Sequence, residues 1–149
     1  MILVTGATGN VGAYVCKELA SRGVEFFKAV TKAPLAADER QLNFLDSTTF
    51  APALEGITKV FLVRPPALAK PKKDMLPFLQ VCKNKKIAQV VFLSLQGVEQ
   101  NSFTPHAKIE KLIQQLSLPV TCLRPSFFMQ NLTMQHREEI QKNNELYMP

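Results

Sequence analysis

Val4-Thr5-Gly6-Ala7-Thr8-Gly9-Asn10-Val11-Gly12 decides the fold of this chain. The stretch follows the apolar run Ile2-Leu3-Val4 and leads into Val11, Val15, Cys16 and Leu19, which share one face of a helix. A bare three-glycine spacing is a weak signal. Between a strand and an amphipathic helix it becomes a strong one, because that arrangement offers unpaired backbone N–H groups to a dinucleotide pyrophosphate. Gly6 permits the turn, Gly9 lets the phosphates approach with no Cβ in the way, and Gly12 lets the helix pack close to the strand. Thr8, Asn10 and Val11 complete the phosphate-facing turn. A turn with no ligand is the weaker reading, since each such glycine costs about 0.5–1 kcal/mol.

Outward from this turn, strands alternate with helices, which means a parallel sheet with crossovers. Strands are expected at Ile2–Thr5, Glu25–Thr31, Gln41–Phe44, Lys59–Val63, Gln89–Leu93 and Val120–Arg124. Helices are expected from Asn10 to Ser21, from an Asp46-Ser47 cap to Glu55, from Asp74 to Asn84, and from His106 to Leu116. A last helix should include Phe128 and Leu132, and Lys32–Arg40 reads as a loop. Right-handed crossovers and a ligand at the switch point give an α/β, doubly wound sheet of strand order 3-2-1-4-5-6, with ligand groups at the carboxyl ends of the strands. Residues 1–149 read as one domain by length.

The composition is that of an ordinary globular chain, 46% hydrophobic and 20% charged, with no apolar run of the ~20 residues that a membrane span needs. The N-terminus is a core strand without a basic leader, and Cys16, Cys82 and Cys122 lie apart in apolar stretches without metal-ligand spacing. Buried, reduced thiols in a cytoplasmic protein follow as the expectation. The net charge of +6 raises the question of nucleic acid. The dense group Lys70, Lys72, Lys73, Lys83, Lys85 and Lys86 has no interleaved aromatics, however, and reads as a solvated helix margin. Part of the positive balance suits an anionic cofactor.

A carboxylate at the end of the second strand would hold the ribose hydroxyls of NAD(H) and repel a 2′-phosphate. Thr31-Lys32 occupies that place, and no acidic residue follows until Asp38. NADP(H) is therefore favoured, with NAD(H) the alternative. Asn43 and Asp46, after the third strand, are placed to meet the adenine edge, and Asp46 serves equally well as a helix cap.

From the glycine turn to Leu123-Arg124-Pro125-Ser126-Phe127-Phe128-Met129-Gln130-Asn131, the chain resembles the NmrA-like branch of the atypical short-chain dehydrogenase/reductases. Val60-Phe61-Leu62-Val63 and Val91-Phe92-Leu93-Ser94 fit as well. The resemblance implies an NAD(P)-binding Rossmann fold and either hydride transfer to a quinone- or dye-like acceptor or cofactor sensing on behalf of a regulated protein partner. It further implies a nicotinamide seated against Arg64, Pro65, Ser94 and His106, with Phe127 and Phe128 walling the acceptor. Two departures bear on this. Where ordinary reductases of the superfamily carry a tyrosine and, four residues later, a lysine, this chain has Ser102 and His106, and its two tyrosines, Tyr14 and Tyr147, stand elsewhere. Family chains are also close to twice as long, so the dinucleotide site is encoded here and most of the substrate region is not, in a truncated product or a natural short form. The last strand would then present a free edge with Phe127, Phe128 and Met129 exposed, which predicts a homodimer or poor solubility.

Overall fold

The computed structural model describes residues 1–134 and 136–146. Six parallel strands form one sheet: β1 (Ile2–Val4), β2 (Phe26–Val30), β3 (Glu39–Gln41), β4 (Lys59–Val63), β5 (Gln89–Leu93) and β6 (Val120–Leu123). Their order is β3-β2-β1-β4-β5-β6, as the crossover rule predicts. Helix α1 (Asn10–Ser21) packs on one face. Helices α2 (Phe50–Ala53), α4 (Leu76–Asn84) and α5 (Pro105–Gln115) pack on the other. Period-two alternation sorts the strand residues between the two faces. Leu3, Val60, Leu62, Val90 and Phe92 join Phe78, Leu79, Ile109 and Ile113 in the larger core. Val4, Phe61, Val63, Val91 and Leu93 meet Val11, Val15, Cys16 and Leu19 of α1.

Strands β4 and β5 begin and end where the sequence predicts, and the other differences have local causes. β3 lies two residues early, because Asn43 Oδ1 accepts the Leu45 N–H and turns the chain after Leu42. The helix expected over Asp74–Asn84 is two helices, α3 (Pro71–Asp74) and α4, divided at Met75. Pro77 has no N–H for the carbonyl one turn back and is tolerated only in the first turn of a new helix. Phe128 precedes its helix: its carbonyl accepts the Asn131 N–H, and α6 covers Gln130–Thr133, followed by α7 (Arg137–Asn143).

Cys16 and Cys82 are buried free thiols, and burial pushes the Cys82 thiol up to about 12. Cys122 is only partly buried. Among the described residues β6 pairs only with β5, and Leu123, Phe128 and Met129 are exposed beside it, whereas Phe127 is partly covered. No helix among the described residues is long and apolar enough to cross a membrane.

Candidate cofactor-binding cleft

A cleft of about 740 Å³ opens at the carboxyl ends of β1, β2 and β4, where the strand order reverses. Its floor begins at Thr5, which is 1% exposed. The Thr5 hydroxyl accepts the Val63 N–H at 2.7 Å and donates to the Val63 carbonyl at 3.3 Å, tying β1 to β4 as the ladder ends. Gly6 then turns the chain at φ +63°, with Val63 so near that an added Cβ would stand 3.0 Å from it. Gly12 has no room at all: its Cβ would lie 2.1 Å from the Gly6 oxygen.

Gly9 differs from both. Its backbone is extended (φ −85°, ψ 171°), which any residue adopts, and its Cβ would meet only the Gly6 oxygen, at 3.3 Å. The fold itself barely requires a glycine there; the open space beside it does. Gly9 is also the N-cap of α1, and no side chain caps that helix or places a carboxylate in its first turn. The first intrahelical bond runs from Ala13 N to Gly9 O, so the N–H groups of Asn10, Val11 and Gly12 have no partner within the helix. Uncapped donors at the positive end of a 12-residue helix, facing a cleft, form an anion-binding arrangement.

Thr31 and Lys32 line the next wall. Lys32 is exposed and makes no ion pair among the described residues. Asp38, the nearest acid downstream, is 2.7 Å from Lys28, whose ammonium holds the Asp38 carboxyl below its usual range. Asn43 lines the cleft beside Leu42, Phe44 and Leu45, an apolar flank that the sequence reading did not anticipate. Asp46 does not line it. Its carboxylate accepts the Thr48 N–H at 3.0 Å and the Thr48 hydroxyl at 2.6 Å, so Asp46 serves as a cap.

Beyond β4, Arg64 and Pro65 wall the far end, together with Phe128. Arg64 Nη1 donates to the carbonyls of Pro65, Pro66 and Leu68 at 2.9–3.0 Å and holds that loop curled over its own guanidinium. Its Nε is buried without a partner, and burial lowers its pKa.

The two residues expected to be catalytic do not open onto this cleft. Ser94 is 4% exposed and its hydroxyl lies buried without a hydrogen bond of ordinary geometry, near the Glu110 carboxylate. His106 is partly buried and stacks on Phe92 with ring centroids 6.0 Å apart. Its pKa is lowered by burial and by the Arg64 charge, with Glu110 opposing. Phe127 likewise turns away, toward His136, with centroids 5.9 Å apart.

One buried charge escaped the sequence reading. Glu110 lies on the apolar face of α5 among Ile109, Leu112 and Ile113, 6% exposed. Arg124, at the end of β6, grips it through Nη2 at 2.7 Å and Nε at 3.1 Å. That pairing holds the Glu110 carboxyl below its ordinary range. A carboxylate inside an apolar helical stripe was the available signal.

Comparison with known proteins agrees with this geometry. The NAD dependent epimerase/dehydratase family model matches residues 2–66, which run from β1 through the far wall of the cleft. Prestalk A differentiation protein A of Dictyostelium discoideum is 34% identical over 146 residues, covering 89% of this chain and 46% of that protein. An uncharacterized oxidoreductase of Bacillus subtilis strain 168 is 32% identical over 148 residues, covering 97% of this chain and 51% of the relative. The NADPH-dependent quinone oxidoreductase of Escherichia coli, solved with NADPH, superposes with a TM-score of 0.81 at 20% identity, covering 96% of this chain and 55% of that one. The chain spans about half the length of the curated relatives it matches, and over that span its fold is Rossmann-like.

Proposed function

We propose that the cleft binds NADP(H) in preference to NAD(H), and that the protein is an NAD(P)H-dependent oxidoreductase of the NmrA-like kind, reducing a quinone- or dye-like acceptor. The observation that carries the proposal is the uncapped N-terminus of α1 behind Gly9, a glycine whose missing side chain leaves open space rather than relieving an internal clash. The residues present fit a dinucleotide. The N–H groups of Asn10, Val11 and Gly12 suit a pyrophosphate. Lys32, free of ion pairs among the described residues, suits a 2′-phosphate, and the competing acid Asp38 is engaged by Lys28. Leu42, Phe44 and Leu45 offer an apolar seat for the adenine next to Asn43.

The coenzyme, when bound, supplies the hydride. The chain's own part is positioning. Arg64 fixes the Pro65–Leu68 loop that closes the far end, and Phe128 shields it from one side. Ser94 and His106 do not reach into the cleft: Ser94 is buried and His106 stacks on Phe92.

A second reading, a cofactor sensor that regulates a protein partner, gains from one feature: among the residues lining the cleft only Lys32 and Arg64 are charged, and no carboxylate, histidine, cysteine or tyrosine is present to pass a proton. Fluorescence titration with NADPH and NADH, beside steady-state NADPH oxidation with a panel of quinones, tests both readings. Saturable NADPH binding with turnover of one acceptor supports the oxidoreductase. Tight binding with no turnover assigns the sensor, and no binding of either coenzyme overturns both.

A further inference from the structure

A second concavity, of about 710 Å³, lies between the Ala69–Lys73 segment and the outer face of α5, and shares no lining residue with the first. Lys70, Lys72 and Lys73 enter it from one side, Lys108 and Lys111 from the other, and no carboxylate lines it. The two groups come from segments more than thirty residues apart, so the fold adds Lys108 and Lys111 to three of the lysines that the sequence pattern placed in a solvated helix margin. All five lysines are exposed, and none forms an ion pair among the described residues. The acids nearest in sequence are both buried and engaged elsewhere: the Asp74 carboxylate accepts the Lys70 N–H, and Glu110 is held by Arg124. On the rim stands Phe103, 83% exposed, a large aromatic ring on open display beside the Ser102 hydroxyl.

We propose that this cleft is a binding site, separate from the dinucleotide cleft, for a small multiply charged anion that carries a flat ring. Five like charges around one concavity repel one another, and a ligand bringing several negative charges removes that repulsion as it binds. The same repulsion disfavours a second copy of this face as the occupant. The volume is that of a nucleotide-sized ligand. The shape is a single half-open concavity rather than the extended basic stripe with interleaved aromatics that tracks a nucleic-acid backbone. Phe103 supplies the stacking surface, and a lysine-rich wall recognises phosphate, sulfonate or carboxylate as point charges without demanding one geometry.

The probe is hydroxypyrene trisulfonate, a fluorescent flat ring with three anionic groups, titrated into the protein at low ionic strength. One saturable site is expected. The double variant Lys108→Glu with Lys111→Glu, both exposed on α5 and checked for native circular dichroism, should bind roughly tenfold more weakly or worse. The milder pair Lys108→Gln with Lys111→Gln should lose less. Phe103→Ala should weaken the probe several-fold yet leave binding of inorganic tripolyphosphate unchanged, because only the probe stacks. Lys32→Glu should leave probe binding intact, which separates this site from the cofactor reading. Unchanged affinity in the Lys108/Lys111 variants, or loss of the probe in Lys32→Glu instead, overturns the proposal. So does absence of binding at low salt, or displacement by polyglutamate more readily than by tripolyphosphate.

Discussion

Substituting alanine at Gly9 and at Gly12 separates a glycine kept for a ligand from one kept for the fold. At Gly12 the new methyl would lie 2.1 Å from the Gly6 oxygen, 2.6 Å from the Gly6 carbon and 2.9 Å from the Ala7 Cα, all backbone atoms that no rotamer change can move. Helix propensity favours alanine by about 1 kcal/mol. Overpacking costs about 1–3 kcal/mol, occasionally more, and three backbone contacts below 3.0 Å put Gly12→Ala at or beyond the upper end. A net loss of about 2 kcal/mol follows, or roughly 4–8 °C in Tm for a domain of this size.

At Gly9 the terms nearly cancel. The extended backbone accepts alanine, and restricting the unfolded chain stabilises by about 0.4–1 kcal/mol. The 3.3 Å contact with the Gly6 oxygen and a poorer N-cap offset it. Gly9→Ala should therefore melt within about 2 °C of the parent. Its methyl nevertheless stands between the α1 N–H groups and an incoming diphosphate. Losing two charge-assisted hydrogen bonds, at about 1.5–3 kcal/mol each, weakens NADPH binding roughly a hundred- to ten-thousandfold. Differential scanning fluorimetry with NADPH titration by fluorescence reads both effects. A Gly9→Ala protein that binds NADPH as tightly as the parent would refute the cradle, because the open space beside Gly9 would then have no occupant.

Lys32→Glu should weaken NADPH binding ten- to a hundredfold and leave NADH nearly unchanged, since only NADPH carries the 2′-phosphate; equal losses measured by fluorescence titration remove the preference for NADP(H). His106 has a folded pKa below its ordinary 6.5, so the unfolded chain takes up its proton first, and stability from this group is present above pH 6.5 and lost as the pH falls from there through the folded pKa. His106→Phe should flatten that part of the stability–pH curve in urea unfolding; an unaltered slope would show that the ring is neutralised elsewhere. Glu110→Gln should cost about 2 kcal/mol in the same assay, less than the 3–5 kcal/mol of a fully buried pair because the Arg124 side chain is 41% exposed. With its pKa below 4.5, Glu110 contributes stability above that pH that is lost on acidification, and the variant should lose less on going from pH 6 to pH 4 than the parent does.

Local chemistry made the glycine turn, the extents of β4 and β5 and the Asp46 cap legible, because each is written in neighbouring residues: positive φ at Gly6, β-branched runs, a cap at its helix start. The strand order followed from right-handed crossovers taken together with a ligand site at the switch point. What the sequence hid depends on contacts between distant segments. Lys70 and Lys108 share a concavity only because α3 packs against α5, and Glu110 looks unpaired until Arg124 arrives from β6. Even a local misreading such as the divided α3–α4 helix had its cue in Pro77, which was outweighed by the apolar run around it.

Ser94 shows the limit most sharply. Sequence placed it correctly at the carboxyl end of β5, the end that faces the cleft. Side chains alternate along a strand, however, and Leu93 is the residue that reaches the cleft wall. Ser94 shares the parity of Val90 and Phe92, whose side chains point into the larger core beneath α5, and so it meets Glu110 rather than the cleft. In a half-exposed sheet, polarity would have announced which parity faces inward. A parallel sheet covered on both sides is apolar at every position, so nothing in Gln89–Leu93 distinguishes the two faces. The same burial that makes β5 easy to recognise erases the information that would aim its last side chain, and His106, stacked on Phe92 beneath that face, inherits the error.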